Sequence, residues 1–308
     1  LRHLPEPFLQ DLLQPDGRLH PVLERVQKDQ TLMLAIRENA VNIYYRGGNL
    51  LRLAEQKHGR YKADFDEKYN LRGQSLPALP ANIQRYDESA QWVTAFPILK
   101  QVMDEYFSVH SKPEREFQQL LARENNHSTI SNESEYFIAD IEFADSDLRA
   151  RFDLLGIRWN ASRRGSGQCR PALFEMKYGD GALDGNAGLL KHLQDIDALV
   201  QDKARYARLL ATTENQFRQL DQLGLFNFTR SQTGAQVNLT PAEKPEVIFV
   251  LANHNPRSTR LKTMLNVPEL DEYARSAHFD LRFFVSSFAG YGLHTQNMLT
   301  LDEFRKML

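Results

Sequence analysis

The chain is predicted to be an α/β protein, a mixed β-sheet flanked by helices and preceded by a small antiparallel β-meander. Three observations predict this. Alternating apolar residues run from Thr31 to Phe65, with a Gly47-Gly48-Asn49 turn inside the run. From Ser111 onward the order reads helix, three strands, helix, strand, helix, strand, as in a mixed sheet with helices on its faces. The fourth of those strands, Glu246–Ala252, is almost wholly apolar, as a strand covered on both faces must be.

Taken in order, residues 1–30 are punctuated by proline and read as irregular, with a short helix near Pro21–Lys28. Leu32, Leu34 and Ile36 share one strand face, Glu38-Asn39 turns the chain, and Val41, Ile43 and Tyr45 alternate next. Leu50–Ala54 is the returning strand and Tyr61–Phe65 a fourth. Pro77 and Pro80 mark a linker. A helix is expected over Gln91–His110, kinked by Pro97 or holding it in its first turn. Residues 1–90 are thus expected to form an N-terminal meander domain and 91–308 a second domain. Ser111, Pro113 and Glu114 open a helix to about Glu124. Glu135–Ala144, Leu148–Trp159 and Ala172–Tyr178 read as three strands, Leu189–Leu210 as a helix, Glu246–Ala252 as the fourth strand, Pro268–Ala277 as a short helix and Leu281–Ser287 as the fifth strand.

The 308 residues are 42% hydrophobic and 25% charged, ordinary for a globular protein, with a formal net charge of −2. That balance gives no global field for gathering nucleic acid, so such binding must rely on a local patch. A single cysteine, Cys169, excludes an intrachain disulfide and a four-cysteine zinc site. It is compatible with the expected cytoplasmic location. No apolar run approaches the roughly 18–20 residues that span a bilayer. Phosphate-loop and dinucleotide glycine motifs are missing, and Gly165-Ser166-Gly167 lacks the spacing of a nucleophile elbow.

Two of the strands carry charges where a buried strand should have none. Asp153 sits within Arg151–Ile157, and Glu175 and Lys177 sit within Ala172–Tyr178. A buried charge costs free energy unless it is paired or binds a metal. Strand alternation aims Glu175 and Lys177 to one side, with Met176 opposite. If the two strands pair, Asp153 reaches the same side. Two carboxylates beside an ammonium suit a hard cation such as Mg²⁺, for which one or two carboxylates suffice.

Asp153, followed 22 residues later by Glu175-Met176-Lys177, resembles the PD-(D/E)XK nuclease superfamily. So does the order of elements from about 111 to 255, roughly half the chain. The resemblance implies a restriction-endonuclease-like core and a metal-dependent endonuclease. It would hydrolyse phosphodiester bonds, with DNA the expected polymer, by metal-activated water. Mg²⁺ is the implied cofactor, with Mn²⁺ able to substitute. Asp153, Glu175 and the Met176 carbonyl would be the metal ligands and Lys177 the catalytic lysine. The family's upstream helix glutamate is carried by Glu114 in preference to Glu116 and Glu124. A polar residue on the helix after the Glu-x-Lys strand is Lys191 or Gln194, both counted with Arg163 and Arg164 as nucleic-acid contacts. Phe152 stands where the superfamily's name places a proline, a departure that is common in the family.

Plainer readings exist. Asp153 can pair with Arg151 or Arg158, and Glu175 and Lys177 can be a solvated pair on an edge strand. Arg170 is grouped with the phosphate-contacting rim, Asp140 and Glu142 are expected to face solvent, and His127 and His254 are expected to be exposed. Cys169 is read as a bystander. The rival functions are a silent nuclease-like protein that binds or assembles, and a defence or repair nuclease switched on by a partner. A homo-oligomer or protein partner would use the N-terminal domain, and no membrane partner is expected.

Overall fold

The computed structural model describes residues 2–57, 59–127, 135–160, 169–185, 188–227, 237–255, 257–286 and 290–308. The expected contacts Arg163 and Arg164 lie outside the described residues. The chain is mixed α and β, with one antiparallel and one mixed sheet. It divides into two units, Leu1–Gln119 with Gln219–Leu225, and Leu120–Arg218 with Phe226–Leu308. The expected boundary at residue 90 falls inside the first unit. Among the described residues no helix is long and apolar enough to cross a membrane.

In the first unit, α1 (Glu6–Leu13) and α2 (His20–Lys28) precede β1 (Leu32–Arg37), β2 (Ala40–Tyr45), β3 (Gly48–Gln56), β4 (Arg60–Asp64) and β5 (Asn82–Ile83). The five strands pair antiparallel in chain order, as a meander must. Residues 6–13 were expected to be irregular. They instead form a helix whose Phe8, Leu9 and Leu12 are buried, because its two prolines, Pro5 and Pro7, lie at the N-cap and in the first turn, where no N–H is needed. The β2–β3 turn falls on Arg46-Gly47, both at positive φ (50° and 72°), one residue earlier than expected. A side chain on Gly47 would meet the Arg115 backbone at 2.5 Å, which only glycine avoids. Then α3 (Tyr86–Val109) packs on α2 and β3, which is why it belongs with the meander. Glu88 caps it by accepting the Gln84 and Arg85 N–H groups at 2.7 and 3.0 Å. Pro97 lies inside α3 and not in its first turn, at an exposed position.

The helix α4 (Pro113–Asn126) follows, and its residues up to Gln119 belong to the first unit. The second unit holds β6 (Tyr136–Asp145), β7 (Ala150–Arg158), β8 (Arg170–Tyr178), α5 (Leu189–Gln201), α6 (Lys203–Gln222), β9 (Glu246–Ala252), α7 (Thr259–Leu265), α8 (Pro268–Ala274), β10 (Asp280–Val285) and α9 (Leu301–Met307), with the end of α6 counted in the first unit. The sheet order is β10-β9-β8-β7-β6. β6, β7 and β8 are antiparallel, while β8, β9 and β10 are parallel. β8 is therefore the central strand, and every residue of its parallel neighbour β9 is buried. The single helix expected over 189–210 is two, parted at Asp202, whose ψ of 93° is extended.

A belt of charge ties the start of the parallel strands together. Glu246, 1% exposed, accepts from Tyr136 Oη and Arg158 Nη1, both at 2.7 Å. Arg170 reaches Asp280 at 2.6 Å and the Lys244 carbonyl at 2.8 Å. Its donors are spent on the sheet, so Arg170 is not part of a phosphate rim.

Candidate active site

The β7–β8 ladder runs from Arg158↔Arg170 to Leu154↔Phe174. Where it stops, the Asp153 carboxylate takes over: Oδ2 accepts the Met176 N–H at 2.7 Å. A strand residue's N–H and C=O point to the same edge, so the Met176 carbonyl also faces the β7 side. Glu175 and Lys177 are 2% and 5% exposed, so neither belongs to a solvated edge pair. Asp153 is half-buried. Its salt bridge to Arg151 or Arg158 does not form; Arg158 pairs with Glu246.

Electrostatics join these groups. Burial first, and then the Glu175 carboxylate, push the Asp153 carboxyl up to about 6. The Met176 N–H, Lys177 and His192 oppose that rise. The imidazole of His192 brings a further group: its Nδ1 lies 3.1 Å from Glu175 Oε2.

His192 was not singled out from sequence, although a signal was present. It lies three residues after Leu189 and four before Ile196, on the face of α5 that buries Leu189, Leu193, Ile196 and Leu199. The expected Lys191 and Gln194 are exposed, and Lys191 pairs with Asp195. The residue of α5 that meets Glu175 is therefore His192. Glu114 lies half-buried in the first turn of α4 and belongs to the first unit.

The donor set fits a hard cation. Two carboxylates that repel one another are held together, each committing one oxygen to a protein contact. Among the described residues no group of three or more His, Cys, Asp or Glu side chains is gathered to hold a metal. A zinc-type set is thus missing, whereas an ion that keeps most of its waters needs only these carboxylates and a carbonyl.

Other expectations change. Asp140 is fully buried, not solvated, and accepts from Gln216 Nε2 at 2.8 Å. A register shift between Ile138 and Asp140 and a positive φ of 51° at Glu142 interrupt β6 here. His127 is half-buried, and burial holds its imidazole down at about 4. His254 is 7% exposed, with Nδ1 lacking a hydrogen-bond partner among the described residues. Cys169 is buried with Sγ 3.5 Å from the Asn238 carbonyl oxygen, and burial pushes its thiol up to about 11. An inert thiol follows.

No family model, curated protein or solved structure matches the chain.

Proposed function

We propose that this protein is a divalent-cation-dependent nuclease of the PD-(D/E)XK type, with a restriction-endonuclease-like second unit, acting on nucleic acid and on DNA first. The observation that supports it is the union of Asp153 with Glu175-Met176-Lys177 at the end of the β7–β8 ladder. A buried carboxyl whose pKa is raised by desolvation and by a second carboxylate is a functional-site candidate on physical grounds.

Asp153, Glu175 and the Met176 carbonyl would hold the cation. A bound Mg²⁺ would supply Lewis-acid stabilisation of the phosphoryl group and make water a stronger acid. His192 holds the Glu175 carboxylate in place through Oε2. Lys177, buried beside these carboxylates, would donate to the attacking water or to a phosphate oxygen. Glu114, in the first unit, is not needed for this arrangement.

The test is incubation of purified protein with linear and circular DNA in Mg²⁺, Mn²⁺, Ca²⁺ or chelator. Cleavage is expected in the first two only. Lys177→Ala should lower the rate by about 10²–10⁴ while circular dichroism stays native. Full activity in Lys177→Ala would remove the lysine from the mechanism. DNA binding with no cleavage under any ion would favour a silent binding protein instead.

A further inference from the structure

We infer that Arg151 is a substrate-phosphate contact of this site. The inference rests on the proposal that Asp153, Glu175 and Lys177 are a nuclease centre.

Side chains alternate along a strand, so Arg151, Asp153 and Leu155 of β7 share a face. Two strand residues cover about 6–7 Å, the spacing of neighbouring subsites rather than of a direct ion pair. Burial falls steadily along that face: Leu155 is buried, Asp153 half-buried and Arg151 exposed. Phe152, between them, is 3% exposed on the other side. The β7–β8 ladder ends at Leu154↔Phe174, so Asp153 and Arg151 lie on the part of β7 just past it, beside the end of β8 that carries Glu175 and Lys177. The bond from the Met176 N–H to the Asp153 side chain holds the two strands together at that point.

Of the other arginines, Arg149 is likewise exposed but stands in the turn before β7 at a positive φ of 45°, and four others are committed elsewhere. Arg158 and Arg170 bind Glu246, Arg205 donates to the Leu148 carbonyl at 3.0 Å, and Arg208 pairs with Asp147 at 3.1 Å. Arg151 has no salt bridge among the described residues. An exposed arginine is usually ordinary surface charge. Arg151 differs in lying on the strand face that opens from the carboxylate cluster, with no side-chain hydrogen bond among the described residues. A planar guanidinium can bind a phosphate through two parallel hydrogen bonds. The chain carries a net charge of −2, and before a cation binds Lys177 alone stands among the charged groups of the site against two carboxylates, so a further cation beside them favours a polyanion.

The experiment titrates fluorescent DNA and RNA duplexes onto wild type, Arg151→Ala and Arg151→Lys across a salt series with chelator present. Mg²⁺-dependent cleavage of both duplexes by wild type is measured alongside, and circular dichroism checks the fold. Arg151→Ala should weaken binding several-fold and reduce the slope of log affinity against log salt by about one, with Arg151→Lys keeping the slope. The duplex that shows this loss identifies the polymer. If wild type binds and cuts but Arg151→Ala keeps its affinity and slope, the inference fails and the nuclease centre stands. If wild type neither binds nor cuts, the centre itself fails and takes the inference with it.

Discussion

Asp153 is held between opposing forces, with desolvation and Glu175 against the charge, and the Met176 N–H, Lys177 and His192 for it. The outcome is a carboxyl whose native pKa, about 6, lies above its ordinary 3.8. The sign of the consequence is definite. The native state takes up this proton at a higher pH than the unfolded chain does. Stability from this group is therefore greatest below about 3.8 and falls as pH rises through the window to about 6. Above that window the ionised carboxylate costs up to about 2–3 kcal/mol. Asp153→Asn keeps an acceptor for the Met176 N–H and removes the repulsion. It should raise the melting temperature at pH 7–8, and the gain should shrink towards pH 4. A thermal melt series against pH checks this, and a uniform gain or a loss at every pH would count against the assignment. Stability bought at the expense of activity is the usual signature of a functional site. At this scale the sequence marked Asp153, Glu175 and Lys177, because charge inside an apolar run is visible without coordinates. It did not mark His192, whose partner Glu175 is on a different element.

At the scale of elements, β7 depends on one small residue. Gly156 pairs with Ile138 on one side and Ala172 on the other, next to the register shift of β6. A side chain there would meet the Phe137 carbonyl oxygen at 2.4 Å, a backbone atom that cannot swing away. Gly156→Ala should destabilise the second unit by about 1–3 kcal/mol, through overpacking. Denaturant unfolding should show a lower midpoint with an unchanged slope. An unaltered midpoint would mean that β6 and β7 are not in this register. Most strands were legible because alternation of period two is local and strong, as in β1, β2, β8 and β9. Short helices such as α1, α7 and α9 were not, since seven or eight residues give too little periodicity to outweigh flanking prolines and polar residues. The single helix expected over 189–210 failed for another reason: the apolar period continues past Asp202, and only the backbone shows the break.

For the whole molecule, order along the chain and membership of a unit are different things. Gln219–Leu225 belongs to the first unit, a hundred residues after the rest of it. Gln219 makes the connection chemically: its Oε1 accepts the Leu4 N–H at 2.8 Å and its Nε2 donates to the Leu4 carbonyl at 2.7 Å. Leu4 is 2% exposed, so removing this amide leaves two buried backbone groups unsatisfied. Gln219→Ala should cost about 1–3 kcal/mol. Hydrogen exchange should become faster at the Leu4 amide, and unchanged protection there would show that the segment does not hold the N-terminus. The sequence by itself determined the class, the order of the longer strands, and the three charges that do not belong in apolar strands. Each of these is written in a few consecutive residues. Only the tertiary structure decided which carboxylate met which N–H, that His192 faces Glu175, that Asp140 is buried on Gln216, and that α3 belongs with the meander. Those outcomes depend on strand register and on burial between elements far apart in the chain, and no local pattern of side chains encodes them.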